Sequence, residues 1–243
     1  MSRPAFIRTE RLVGAEAMDR ISKARVLLFG VGGVGSWCAE GLVRSGVERL
    51  TIVDSDKVSE SNINRQLMAT VHTIGRPKVE ALKEHLLRIN PEADIIALQQ
   101  TYSDGNYADF LMDEYDCIID AIDSLKDKAS LILRATATKA KFYSSMGAAL
   151  KTDPRQVRVA EFWEVRGCPL GAALRKKLRR EKNIPSKPFL CVYDEEVLPN
   201  AGESTEAPEH GKAVVNGTMA HITAIFGFTL SGLALEDILR NDK

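Results

Sequence analysis

GVGGVGSW, residues 30–37, lies between a short β-rich run, RVLLF (Arg25–Phe29), and a helical pattern over 36–44 that stops near Gly46. Gly30, Gly32 and Gly35 satisfy GxGxxG, with Gly33 as a fourth glycine inside the loop. After a strand and before a helix, such a loop lets backbone N–H groups and a helix N-terminus hold phosphate. A tight strand-to-helix turn without a ligand is the plainer reading of the same residues. The next β-rich run, LTIVD, ends on Asp54, an acid placed to accept both ribose hydroxyls of whichever nucleotide is bound. The fingerprint alone leaves NAD and ATP open.

Outward from that loop, strand and helix patterns alternate. DIIAL (Asp94–Leu98), DCIIDA (116–121) and KFYSSM (141–146) read as strands, and helices fit at 78–88, 106–115 and 124–139. This alternation predicts an α/β, doubly wound, Rossmann-like and mostly parallel sheet with its ligand at the carboxyl ends of the strands. Beyond residue 153 the pattern changes. VRVAEFW suggests an antiparallel strand, a basic helix follows, FLCVY is a further strand, and a helix closes the chain. The expectation is therefore one domain: a nucleotide-binding core over 1–150, and an antiparallel C-terminal extension over 151–243. The small polar residues 201–212 predict a mobile loop.

A chain of 243 residues with 44% hydrophobic and 27% charged residues has ordinary globular composition. Its 33 Lys and Arg balance 33 Asp and Glu, so no global field draws it to nucleic acid or membrane, and any such attraction is local. The four cysteines, Cys38, Cys117, Cys168 and Cys191, form no CxxC pair, and no basic-then-apolar leader precedes the first strand; a reducing cytoplasm is expected. The apolar stretch 219–235 is broken by His221, Thr223, Thr229 and Ser231, which predicts a buried helix and no membrane span.

The residues after Asp54 separate the two nucleotides. Asp56, Asn62, Asn64, Arg65 and Gln66 crowd positions 56–66, and GRPKVE presents Lys78 at a helix start. Fixed cations and amide donors have little use in a dehydrogenase, and nothing near the fingerprint resembles an acid/base partner for hydride transfer. They are what an enzyme needs to grip a triphosphate and stabilise leaving pyrophosphate. DAID (120–123) ends a core strand, where a carboxylate can hold magnesium.

In this order and spacing, GVGGVGS, Asp54-Ser-Asp, SNINRQ, Gly75-Arg-Pro-Lys78 and Asp120-Ala-Ile-Asp123 resemble the ubiquitin-activating-enzyme-like adenylating family, which includes the ThiF and MoeB activators of sulfur carriers. The resemblance implies that Asp54 binds ribose, that Asn62, Arg65, Gln66 and Lys78 handle phosphates, and that Asp123 coordinates Mg2+ beside ATP. Where the family usually has Asp-Asn, this chain has Asp123-Ser124. FIRTERLVG is similar to the segment that delivers an arginine to the neighbouring subunit's nucleotide. This implies a homodimer, with Arg8 the better fit to the spacing from Gly14 and Arg11 the second candidate.

ThiF and MoeB hold zinc with two CxxC pairs, which the four cysteines here cannot form, so no zinc is expected. FIRTERLVG, GGVGSW, DAIDS and CPLGAALRKKLRR are instead similar to the family branch that acts on tRNA, converting N6-threonylcarbamoyladenosine to a cyclic, dehydrated form with ATP. RKKLRREKNIPSK, residues 175–187, carries seven Lys and Arg against Glu181, a patch suited to phosphate contacts through Lys176, Lys177, Arg179 and Arg180. A solvated helix face is the plainer reading of that run. Activation of a sulfur-carrier or ubiquitin-like C-terminus is the alternative activity, a non-catalytic nucleotide-binding module is the other, and a sulfur-transfer protein stays open as a partner. Cys168 and Cys191 could be read as thioester-forming, although packing is the commoner role for such residues.

Overall fold

The structure, a computed structural model, describes residues 4–202 and 215–240. Strands β1 (Arg25–Phe29), β2 (Arg49–Val53), β3 (Asp94–Leu98), β4 (Cys117–Asp120), β5 (Lys141–Ser145), β6 (Arg158–Glu161) and β7 (Leu190–Tyr193) form one sheet in the order β3-β2-β1-β4-β5-β7-β6. The first six in that order are mutually parallel, and β6 closes the edge antiparallel to β7. FLCVY thus extends the parallel sheet beside β5, and only β6 reverses. The polar segment 201–212 lies outside the described residues apart from its first two.

Alternation along β1 shows why the sheet is covered on both faces. Val26 and Leu28 are fully buried on the side of helices α2 (Ala15–Lys23), α3 (Gly35–Arg44), α4 (Lys78–Ile89) and α7 (Ala220–Arg240), through Ile21, Leu42, Leu82 and Phe226. Leu27 and Phe29 face α5 (Leu125–Ala137) and α6 (Pro169–Arg180), through Leu131, Ile132, Leu174 and Leu178. By length and composition α7 could cross a membrane, yet Ile222, Phe226, Leu230 and Ala234 are fully buried in the first of these cores. It crosses α3 closely: a Cβ at Gly227 would lie 2.5 Å from the Val34 carbonyl, and one at Gly41 would lie 2.3 Å from Ser231 Oγ. The C-terminal helix therefore packs directly on the glycine loop.

The helix expected over 106–115 is replaced by two 3-10 turns, Tyr107–Phe110 and Met112–Glu114, broken by Leu111 at φ 45°. Asn106 is the cause. Its Oδ1 accepts from the Ser103 amide and hydroxyl while its Nδ2 donates to the Thr101 carbonyl, so local side-chain bonds outcompete a helix. Phe110 and Met112 reach the core from opposite sides of the break.

In the order β3-β2-β1-β4-β5, the chain changes direction across the sheet between β1 and β4. At such a point the loops leaving two adjacent strands turn to opposite faces and open a crevice at the carboxyl ends. Gly30 follows β1 and Ala121 follows β4, so both line that crevice.

Candidate active site

The glycine loop is built by contact with its neighbours. Gly30 has φ 83°, and a Cβ there would sit 2.7 Å from the Ala121 carbonyl; a Cβ on Gly35 would strike the Gly30 carbonyl at 1.8 Å. Gly32 differs. The nearest atom to a Cβ built there is Gln66 Nε2 at 3.8 Å, which leaves the open backbone that a phosphate needs in order to approach. Gly33 lies between the Thr223 methyl and the Arg65 stem.

Around this loop the structure gathers Asp54, Asp56, Asn62, Arg65, Gln66 and Lys78. Asp54 accepts the Val31 amide at 2.9 Å and the Asp56 amide at 2.9 Å, tying the end of β2 to the loop. Burial pushes its carboxyl above the usual aspartate range, against the pull of Lys78 and the two amides. Lys78 opens α4 with its side chain buried, its Nζ paired with Asp56 Oδ2 at 2.7 Å. Arg65 donates to the Ser61 carbonyl and to Asn64 Oδ1, both at 2.8 Å. Its own carbonyl accepts the Trp37 indole N–H at 3.1 Å. Asn62 is buried in the turn Glu60–Asn62, with Oδ1 accepting from the Ser59 amide. Gln66 is buried beside Gly32, and its Oε1 has no hydrogen-bond partner among the described residues.

Asp123 is exposed three residues beyond the end of β4, on the loop that abuts Gly30. Ser124 takes over as the N-cap of α5, its Oγ accepting from the Asp127 amide, so the departure from Asp-Asn serves the helix start. Asp120 and Lys128 were not foreseen as a pair. Both are fully buried, 2.8 Å apart, and Ser144 Oγ donates to Asp120 at 2.7 Å. Burial drives the Asp120 carboxyl up, opposed first by Lys128. Lys128 had a visible signal: it falls on the same α5 stripe as Ala129, Leu131, Ile132 and Ala135.

Other expected residues lie elsewhere. Arg8 and Arg11 are exposed on helix α1 (Ile7–Val13), which follows Phe6. Pro4 to Phe6 line a cavity together with Ile89 to Glu92, at the end of α4 that lies about 18 Å along the helix from Lys78. On α6, Lys176, Arg179 and Arg180 face solvent, while Glu181 pairs with Lys177 Nζ at 2.6 Å and with the Arg180 guanidinium at 3.6 Å. Arg175 donates to the Phe162 carbonyl, and Lys187 donates to the Thr138 and Ala140 carbonyls, so the patch is smaller than its count of cations. Arg179 lies over the Trp163 ring, 5.0 Å from its centroid. All four cysteines are buried and outside any disulfide, and burial pushes the Cys191 thiol far up, as suits a packing role.

The open backbone at Gly32 with the Gln66 Nε2 donor beside it, an acceptor at Asp54 and cations at Arg65 and Lys78 fit a nucleotide triphosphate. Among the described residues no three His, Cys, Asp or Glu side chains converge on a metal position. A magnesium ion at Asp123 would accordingly share its coordination with phosphate oxygens, as is usual for that ion.

Known proteins match this arrangement over nearly the whole chain. Bacillus subtilis tRNA threonylcarbamoyladenosine dehydratase is 35% identical, covering 97% of this chain and 95% of that protein. The Escherichia coli enzyme of the same name, in complex with ATP, superposes with a TM-score of 0.87 at 31% identity, covering 98% of this chain and 95% of that one. Similarity to Escherichia coli molybdopterin-synthase adenylyltransferase, at 33% identity, spans only 57% of this chain and 54% of that protein. The ThiF family profile matches residues 7–241, and the chain belongs to the ThiF family.

Proposed function

We propose that this protein uses ATP to dehydrate N6-threonylcarbamoyladenosine in tRNA to its cyclic form, by adenylating the threonyl carboxylate. The observation that carries the reading is the meeting of an open phosphate loop, a ribose acceptor and two cations at the switch point, in a chain whose near-full-length relatives are named for that reaction.

A carboxylate resists attack because its leaving group would be oxide. Transfer of AMP to its oxygen expels pyrophosphate and leaves a mixed anhydride; the neighbouring carbamoyl group then attacks the carbonyl, AMP leaves and a ring closes. Asp54 orients the ribose through its two oxygens. The amides of the Gly30 to Gly35 loop and the N-terminus of α3 bind phosphate, with Gln66 reaching the same space and Asn62 shaping the turn that carries Arg65. Arg65 and Lys78 supply fixed positive charge toward pyrophosphate, Lys78 exchanging part of its pairing with Asp56 for phosphate. Mg2+, held by Asp123 and phosphate oxygens, would neutralise charge developing on the leaving group. The second step draws on proximity, since nucleophile and electrophile belong to one nucleoside. Arg8, exposed on α1, serves a second copy in a two-fold homodimer, and the exposed cations of α6 contact tRNA phosphates. Such an enzyme works in the cytoplasm, where tRNA and ATP meet.

Exchange of labelled pyrophosphate into ATP tests the acceptor. The expected result is exchange that requires tRNA bearing threonylcarbamoyladenosine. Exchange supported by a sulfur-carrier protein ending in Gly-Gly, and absent with that tRNA, would transfer the reading to carrier activation.

A further inference from the structure

The buried pair Asp120–Lys128 is expensive as a stability device. Taking two charges fully out of water carries a large desolvation cost, and an apolar pair of similar volume is often at least as stable. What the pair holds is specific. Asp120 Oδ1 accepts the Ile122 amide at 3.1 Å, and Lys128 Nζ donates to the Ile122 carbonyl at 2.8 Å. Both polar backbone groups of the residue preceding Asp123 are thereby fixed by one ion pair. Asp120 is itself anchored sideways by Ser144 of β5, while the Ala121 peptide is wedged against Gly30. The loop after β4 is thus held from both sides, by the ion pair and by its approach to Gly30.

We infer that Asp120 and Lys128 are positioning residues that clamp the Ile122 peptide and so aim the Asp123 carboxylate at magnesium held on the nucleotide phosphates. The inference rests on the reading of Asp123 given above. Neither residue touches the nucleotide; each acts through the backbone. Partners of this kind set ligand orientation, and their loss typically costs about 10- to 100-fold in metal affinity.

The test compares ATP binding by calorimetry in EDTA and in Mg2+, for the full chain and three variants. Removing both charges together, Asp120→Asn with Lys128→Met, avoids stranding a buried ion. The introduced amide oxygen can still accept from the Ile122 N–H, but the Ile122 carbonyl is released. The expected result is ATP affinity in EDTA close to wild type, with the gain in affinity on adding Mg2+ reduced about tenfold. Lys128→Arg, which keeps a donor to the carbonyl, should recover part of that gain. A merely structural role would weaken binding equally in both conditions, and that result overturns the inference. Asp123→Asn separates the two layers: if it leaves the Mg2+ gain intact, the reading of Asp123 fails and this inference with it; if it removes the gain while the double variant keeps it, only the clamp is wrong. Hydrogen exchange on the wild-type protein supplies a measurement that needs no variant to fold. Protection of the Ile122 amide comparable to that in β4 is expected, and exchange as fast as in an exposed loop would overturn the clamp.

Discussion

Both carboxylate oxygens of Asp54 accept backbone amides, and in the proposed role each would keep a lone pair for one ribose hydroxyl. Hydrogen bonds to a charged acceptor are worth about 1.5 to 3 kcal/mol each, so Asp54→Ala should weaken ATP binding by more than about tenfold in calorimetry. Burial raises its pKa above the ordinary value of about 3.9, which gives two opposite pH dependences. Between the two values the folded state holds the extra proton, so Asp54's contribution to stability falls as pH rises through that window. ATP affinity behaves conversely: it is full above the raised pKa and falls as pH drops through it, and Asp54→Asn should be flat there. Asp54 and the glycines were legible in the sequence because their chemistry is local and their spacing is rigid. The pairing of Asp120 with Lys128 was not, because the place of Lys128 on an apolar stripe marks it as buried while its partner is set only once α5 folds back on β4.

At the scale of elements, α6 shows how a count of charges misleads. Of its cations and those just beyond it, Lys177 pairs with Glu181 at 2.6 Å and Arg180 more loosely at 3.6 Å, while Arg175 and Lys187 hold backbone carbonyls; Lys176, Arg179, Arg180 and Lys182 are the exposed ones. Neutralising those four should flatten the salt dependence of tRNA binding, by roughly 0.9 in the logarithmic slope for each phosphate that goes unpaired, if the RNA duplex behaves as B-form DNA does. ATP affinity should not change. Lys177→Gln alone should leave the slope as it was, and filter binding at several salt concentrations measures both. The parallel strands and their helices were readable from alternation and apolar stripes. The direction of β7 was not, since it depends on the crossover made by α6, and the 106–115 segment misled because its apolar spacing fits a helix while Asn106 bonds locally.

In the whole molecule, Arg8 is exposed on α1, and the role proposed for it belongs to an assembly. An Arg8→Ala chain and an Asp123→Ala chain, each inactive, should regain about a quarter of wild-type activity when mixed equally and allowed to exchange, because half the dimers then carry one intact site out of two. Absence of recovery with proven exchange would place Arg8 outside the site. Near-full-length similarity to dehydratases, against partial similarity to a carrier-activating enzyme, gives the substrate its place in the account. The central claim is tested most directly by incubating purified protein with ATP, Mg2+ and tRNA bearing N6-threonylcarbamoyladenosine, then digesting the tRNA under mild conditions and weighing its nucleosides. The account predicts conversion to a nucleoside lighter by one water, with release of AMP and pyrophosphate and no conversion by Asp123→Ala. An unchanged nucleoside in the presence of bound ATP would contradict it.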